Sequence, residues 1–387
     1  MTILVVKLDS YNGAGYLSLA MTTSSTFSTI AMFSMRNFQV SDIKNEFRDS
    51  EYLGSRLITC ISSIILCYVY SLGSTSNYQM FCINAFMLIR IAESIVDVIH
   101  GIDQKYDRYD LIGKSYLLRG IATDIAFISG LLIFKDILCA ILITAAANIV
   151  LVFLYDVRKT SQLEKLSLAF KDPAILSLLK KCTPIVVTSF LLSMIPLIPK
   201  TAIQTMIGND ELGIYSSIAS PTLVVQVFAT YAFNPLIPRI SVLYTEKKYN
   251  EFLKMFHKIL LIFAVFAVVI CFGASLLGRF GLKLLYGADI LNSYDFFMPL
   301  VWVTIFTAYI WIMNSIVTTI RQIIPMMSAM VVGFGVCYLF SSRFITLFGE
   351  NGASYIQIIC FAMVLVILIS IVEVTIRRKT KLSNEIK

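Results

Sequence analysis

The chain has 387 residues, 57% of them hydrophobic and only 14% Asp, Glu, Lys or Arg, with a mean hydropathy of +0.79. Soluble globular domains carry roughly 25% charged residues, so the composition excludes that class and requires a polytopic membrane protein. The net charge of +8 does not mark a nucleic-acid binder, because the basic residues sit in short links between apolar runs and not on one compact basic domain.

Eleven apolar segments are long enough to cross a bilayer, at roughly 13–35, 57–73, 79–99, 115–134, 137–156, 182–203, 213–236, 259–278, 296–317, 322–341 and 354–376. Short links between them predict a bundle of antiparallel helices, and long continuous runs argue against the ~10-residue alternation of barrel strands. The opening VVKLDSYNGAGYLSLAM has no basic region before its first apolar run, so no cleavable signal peptide is expected. It reads as the end of one helix pair and the start of the next. A twelve-helix parent with both termini inside, lacking its first helix here, is the expectation.

The third segment, QMFCINAFMLIRIAESIVDVI (Gln79–Ile99), spans about 30 Å as a helix yet carries Arg90, Glu93 and Asp97. At 100° per residue these three fall within about 60° of one another. A charge facing lipid costs at least ~2.5–3.5 kcal/mol, so this face should look at protein or water, as in a transporter with a charged lumen. Arg90 is either a free cation for an anionic cargo or half of an internal pair with Glu93 or Asp97; a pair that opens for cargo satisfies both. Arg119 and Asp124 lie on the next helix, where Arg119 is placed to meet Asp97 as a structural or gating pair. Glu93, Asp97 and Asp124 are also candidates for coupling to H+ or Na+.

Farther along, RKTSQLEKLSLAFKDPAILSLLKK (Arg158–Lys181) sets Leu163, Leu166, Leu168, Phe170, Leu176, Leu178 and Leu179 among lysines. It reads either as amphipathic helical turns on the inner membrane surface or as a plain basic linker. It divides the chain into an N-terminal lobe of about five helices (1–157), the linker (158–181), and a C-terminal lobe of about six helices with a basic tail (182–387). Gly15-Tyr16-Leu17-Ser18-Leu19-Ala20 resembles Gly213-Ile214-Tyr215-Ser216-Ser217-Ile218-Ala219, and each opens a helix that ends in a basic link, so two lobes in parallel repeat are expected. Pro196 and Pro199 are expected to bend the sixth helix.

Most of the 32 Lys and Arg fall in alternate links and in the tail RRKTK (Arg377–Lys381), which places those links and the C-terminus in the cytoplasm. Eight cysteines lie in or beside apolar runs without a CxxC, and there are two histidines, so neither a disulfide framework nor a metal site is expected. No GxxxxGK[ST] occurs, so no nucleotide drives the protein and no cofactor is expected beyond a coupling ion.

The stretches SMRNFQVSD before EYLGSRLIT, HGIDQKYDRYDLIGKSYLLRG, NDELGIYSSIASP and LLYGADILNSYDFFMPL resemble the polysaccharide (O-antigen, Wzx-type) flippases of bacterial inner membranes. These belong to the multidrug/oligosaccharidyl-lipid/polysaccharide (MOP) exporter superfamily; ELGIY is the most specific of the four. The resemblance covers almost the whole chain. It implies an all-α, MATE-like protein of two lobes forming a V around a cationic cavity. Such a protein moves an undecaprenyl-pyrophosphate-linked oligosaccharide to the periplasmic leaflet for O-antigen or capsule synthesis, by alternating access and without covalent chemistry. Its partners would be the lipid-linked oligosaccharide, membrane lipids, and the polysaccharide polymerase and chain-length regulator, with no nucleic acid.

A pyrophosphate cargo needs cations, and arginine suits it. On that reading Arg90 is the first candidate. Arg36, Arg56 and Arg239 flank cytoplasmic links, either to meet the pyrophosphate or to anchor on anionic lipid. Lys200 in IPLIPK either contacts cargo in the outward state or snorkels. Rival readings are a cation-coupled multidrug antiporter of the same superfamily, an inactive truncated flippase, and a membrane polymerase. The last is disfavoured by outer links of at most about 18 residues.

Overall fold

The computed structural model describes residues 1–42, 46–169, 173–233 and 235–385, and every apolar segment predicted above is helical there. Two compact units result, Met1–Leu197 and Ile198–Lys387.

In unit 1, α1 (Thr2–Leu8) and α2 (Tyr11–Met32) are followed by a short α3 (Met35–Ser41), then α4 (Asp49–Ser71), α5 (Asn77–Lys105) and α6 (Tyr109–Phe134). α7 (Ile137–Leu151) passes through a π-helical turn (Val152–Val157) into a last helical turn, α8 (Arg158–Thr160), and α9 (Pro173–Met206) begins beyond the linker. Side-chain caps fix several starts: Ser10 Oγ accepts from Gly13 N at 3.1 Å, Ser76 Oγ from Gln79 N at 3.1 Å, and Asp136 Oδ1 from Cys139 N at 2.8 Å. Asp136 also accepts from Tyr78 Oη at 2.9 Å, which ties the start of α7 to the start of α5.

α5 is the spine of this unit and packs on α2, α3, α4, α6 and α7. Its first half enters one apolar cluster with Leu17, Phe27, Phe127, Leu131 and Ile141. Its second half enters another with Met35, Tyr52, Val152, Leu178 and Cys182. Because Leu178, Cys182 and Val186 of α9 sit in that second cluster, the division between units falls inside α9, at Leu197/Ile198, and not in the linker where the sequence placed it. α9 continues past Pro196 and Pro199 to Met206.

Of the two forms expected of the linker, amphipathic helical turns or a plain basic link, the structure holds parts of both. Among the described residues helix is confined to its ends, at Arg158–Thr160 and from Pro173 onward; Lys165–Ala169 has no regular structure, and Phe170 lies outside the described residues. The segment straps onto unit 1. Ala169 N–H donates to the Ser50 carbonyl at 3.1 Å, and Tyr106 Oη–H donates to Glu164 Oε2 at 3.3 Å. Backbone meets backbone so closely that a Cβ at Gly54 would stand 1.8 Å from the Ala169 carbonyl oxygen.

Unit 2 repeats the order of lengths. After α9, α10 (Asn209–Phe233) is followed by a short α11 (Leu236–Thr245) and a long α12 (Tyr249–Tyr286). Then come 3₁₀ turns at Asp289–Phe296, α13 (Phe297–Thr319), α14 (Ile323–Phe348) and α15 (Glu350–Glu385). The two similar glycine-tyrosine stretches thus open α2 and α10, each followed by one short helix and four long ones. α15 packs on α13 and α14, and α10 on α13, around Tyr215, Phe233, Phe263, Met313 and Phe361. Tyr215 Oη lies 3.0 Å from Ser354 Oγ and accepts from Gln357 Nε2 at 3.3 Å, so its buried hydroxyl is satisfied.

Nine helices among the described residues are long and apolar enough to cross a membrane. The other two long ones, α2 and α5, have 22 and 29 residues; α2 is rich in Ser and Thr, and α5 carries the charged stripe. Large apolar side chains are exposed along whole helix faces, for example Leu261, Val265, Val268, Phe272, Leu276 and Phe280 on α12. Faces of this kind need lipid, not water. The protein is membrane-embedded. Cys60, Cys67, Cys82, Cys182, Cys337 and Cys360 are buried.

Candidate functional site

The stripe predicted on α5 is a ladder of ion pairs inside unit 1. At its first rung, Arg90 Nη1 donates to Glu93 Oε2 at 2.7 Å, three residues on. The guanidinium lies over the Phe86 ring, 5.4 Å from its centroid. This pair is partly open, with side-chain exposures of 23% and 30%.

One turn further, Asp97 gathers two arginines. Arg56 Nη2 reaches it at 2.8 Å and Arg36 Nη1 at 3.7 Å. Arg56 is 1% exposed, and its Nη1 also donates to the Ala31 carbonyl at 3.0 Å and to Ser94 Oγ at 3.2 Å. Ser94 and Asp97 are three apart on α5, so one guanidinium fork spans both. Arg36 continues to Tyr116 Oη at 3.3 Å and Gln104 Oε1 at 3.2 Å.

The third rung holds residues that the sequence reading passed over. His100 (0% exposed), Asp103 and Asp156 are buried together with Arg119. Arg119 does not meet Asp97 as expected. Its Nη2 donates to Asp156 Oδ2 at 2.8 Å and its Nη1 to Asn148 Oδ1 at 3.1 Å. Ser115 Oγ–H donates to the other carboxylate oxygen at 2.6 Å. The π-helical turn explains the substitution of partner. Residues eight apart on a regular α-helix diverge by about 80°, but a π turn absorbs one residue and brings them within about 20°. Asn148 and Asp156 therefore both face Arg119. Asp156 was hidden in the sequence because it sits at the end of its apolar run and reaches this face only through that turn. His100 and Asp103 were within reach, since they extend the three-to-four spacing of Arg90, Glu93 and Asp97.

The remaining candidates stand apart. Asp124 is exposed on α6 with no ion pair among the described residues. Lys200 is half-buried on α9 in unit 2, and Arg239 is exposed on α11. In unit 2, Glu373 binds Arg377 at 2.6 Å and also pairs with His257.

Beside the strap, unit 1 has an open cleft of about 930 Å³ whose lining includes Asp49, Lys105, Tyr106, Tyr109 and Glu164. Lys105 Nζ bonds Asp49 Oδ1 at 2.9 Å. Burial pushes the Glu164 carboxyl up from its ordinary value, and the neighbouring Asp49 adds to the rise.

What the ladder can do is exchange partners. Arg36, Arg56, Arg90 and Arg119 each face a carboxylate already. An incoming anion gains a cation only where a pair can open, and the partly exposed Arg90–Glu93 rung opens at least cost.

No known family profile matches the chain. The capsular polysaccharide biosynthesis protein CapF of Staphylococcus aureus is 25% identical over 296 residues, 74% of this chain and 72% of CapF. Among solved structures, an inward-facing multidrug-resistance MATE-family transporter of the MOP superfamily superposes with a TM-score of 0.72 at 12% identity, over 98% of this chain and 94% of that one. The lipid II flippase MurJ, in an inward closed conformation, gives 0.71 at 14% identity, over 96% and 84%. At these identities the likeness is one of fold, and the fold is that of the transporters and flippases of the MOP superfamily.

Proposed function

We propose that this protein flips an undecaprenyl-pyrophosphate-linked oligosaccharide repeat unit across the bacterial inner membrane, by alternating access, for O-antigen or capsule synthesis. The observation that carries the reading is the 25% identity with a capsular polysaccharide biosynthesis protein over 296 residues. The ladder on α5 supplies the chemistry. The sugars and diphosphate cannot cross hydrocarbon, so they need a polar path, and the diphosphate needs a fork of N–H donors. Arg90 offers one on a rung that is partly open. Glu93 holds the guanidinium in place until the pyrophosphate displaces it. Arg36, Arg239 and Lys200 are secondary contacts on this reading, whereas Arg56, buried against Asp97 and Ser94, holds the lobe together; the basic links and C-terminal tail face the cytoplasm.

The test is genetic. Delete the gene, measure surface polysaccharide and the leaflet in which lipid-linked repeat units collect, and complement with wild type or Arg90→Ala at matched membrane abundance. Loss of polysaccharide with inner-leaflet accumulation, rescued by wild type alone, supports the proposal. Unchanged polysaccharide with altered resistance to cationic dyes overturns it in favour of drug antiport.

A further inference from the structure

One side of unit 2, formed by α12 and α15, has a use that flipping does not supply. Three tight links separate the two helices, at the 3₁₀ turns, before Ile323 and at Gly349, so they run antiparallel. They meet where His257 of α12 pairs with Glu373 of α15. That contact fixes how each helix is turned. Counted from it at 100° per residue, Lys254 and Lys258 lie about 60° and 100° round α12, and Arg377, Lys381 and Arg378 about 40°, 80° and 140° round α15. Equal rotations along two antiparallel chains turn to the same side of their contact. These five cations therefore share one side, and all five are exposed. Lys379 checks the count. At about 240° it should face the other way, and it lies over the Tyr244 ring of α11 on that other side, 4.6 Å from the centroid.

The same side is apolar at membrane depth. Leu261, Val265 and Val269 continue it on α12, and Val374, Val366 and Met363 on α15, all exposed. Ser370 falls among them, but its Oγ donates to the Val366 carbonyl at 2.8 Å and is satisfied within the helix. The reverse sides are buried, through Phe252, Phe256 and Phe263 on α12 and Leu368, Val372 and Ile376 on α15. From Lys258 to Val269 is about 16 Å of helix, close to half of a ~30 Å hydrocarbon core. The side is thus an apolar strip one leaflet deep, with a basic rim.

The rim is short of partners. Arg377 binds Glu373 at 2.6 Å. Glu251, about 120° round α12, is exposed on the same side. Lys254, Lys258, Arg378 and Lys381 have no ion pair among the described residues. Five cations against two carboxylates leave three positive charges over. Charge alone would draw any phosphate; the strip adds a place for acyl chains, which only a lipid has. We infer that this side of unit 2 binds an anionic phospholipid, with its phosphate among Lys254, Lys258, Arg377, Arg378 and Lys381 and its chains along the apolar strip. The inference does not rest on the flipping reading.

The chain has two tryptophans, Trp302 and Trp311, which makes a local reporter practical. In the full-length protein, Trp302→Phe and Trp311→Phe clear the background and Val265→Trp puts an indole on the strip; Val269→Trp is a second reporter should the first not fold. Reconstitute the protein in phosphatidylcholine vesicles and raise the fraction of phosphatidylglycerol brominated in its chains, or of equally brominated phosphatidylcholine. Bromine quenches an indole that it touches. The expected result is quenching by the phosphatidylglycerol at a several-fold lower fraction than by the phosphatidylcholine. Lys258→Gln with Lys381→Gln should bring the two lipids to within about twofold of each other, because each basic side chain at the surface contributes to the attraction. Lys114→Gln with Lys159→Gln, exposed on unit 1, removes the same charge and should leave the preference unchanged. Equal quenching by both lipids overturns the inference. So does a preference that survives loss of Lys258 and Lys381, or one that the unit 1 pair abolishes equally. Exchanging chloride for inorganic phosphate at matched ionic strength separates the sources of the ligand: a preference lost in phosphate means a site for free phosphate, and overturns the lipid. No readout involves transport, so failure here leaves the flipping proposal to its own test.

Discussion

Replacing Arg56 by methionine separates a buried structural pair from a cargo contact. The substitution keeps most of the side-chain volume, so little cavity forms. It removes the 2.8 Å bond to Asp97, the 3.2 Å bond to Ser94 and the 3.0 Å bond to the Ala31 carbonyl. The carbonyl stays satisfied, because Thr59 Oγ also donates to it at 2.8 Å. The main loss is the charged bond to Asp97. Stripping one partner from a buried pair costs ~3–5 kcal/mol, but Asp97 remains 22% exposed and keeps Arg36 at 3.7 Å. The low end, about 3 kcal/mol, is expected. In a unit of this size that lowers the melting temperature by roughly 6–12 °C, measured on purified protein in detergent. Asp97→Asn added to Arg56→Met removes the stranded charge, and the double variant should return to within about 1 kcal/mol of wild type. A single variant within about 1 kcal/mol of wild type, or strictly additive losses in the double, would refute the reasoning.

At the strap, Gly54→Leu drives a side chain into the Ala169 carbonyl and should release the linker, read as faster limited proteolysis between Ser161 and Ala169 with the helices intact. Glu164 gives that docking a pH dependence. Its carboxyl is raised above the ordinary 4.5 by burial and Asp49, so the docked form holds the proton more tightly than the free linker does. Docking then weakens as pH rises from 4.5 through the raised value and recovers as pH falls. Linker cleavage should speed up over that window in wild type and stay flat in Glu164→Gln. At the outer rung, Arg90→Ala should abolish flipping at normal abundance, while Glu93→Gln frees the guanidinium and should tighten cargo binding, read as a lower apparent KM for the lipid-linked sugar in reconstituted vesicles.

The fold was legible because lipid imposes it. Every run of about 20 apolar residues had to be helical, and the glycine-tyrosine repeat marked where each six-helix order begins. The Arg90–Glu93 rung was legible from spacing alone. Partners across helices were not. Arg119 had two carboxylates within a plausible span, and the choice of Asp156 over Asp97 rests on one residue absorbed by a π turn, which no hydrophobic period reveals. The strap was hidden for a related reason: alternating leucines and lysines suit a surface helix, but the contact that decides the segment is a backbone hydrogen bond to Ser50, opposite a glycine with no side chain to signal it.

Exposure along α5 sorts the three rungs by what each can exchange. An ion pair in contact with water contributes about 0–1 kcal/mol, so the Arg90–Glu93 pair, 23% and 30% exposed, opens at little cost. A pyrophosphate with several negative charges and paired acceptor oxygens offsets that cost readily. The Arg56 rung, 1% exposed, would leave a buried arginine stranded if cargo took Asp97's place and then departed, which is expensive; it serves the lobe as a fixed clamp. The His100 rung, 0% exposed, is closed. Ten residues separate Arg90 from His100, about 15 Å of one helix. Over that length the stripe passes from a pair that can exchange its partner to buried groups that cannot, with Asp97 and its two arginines holding the element between them.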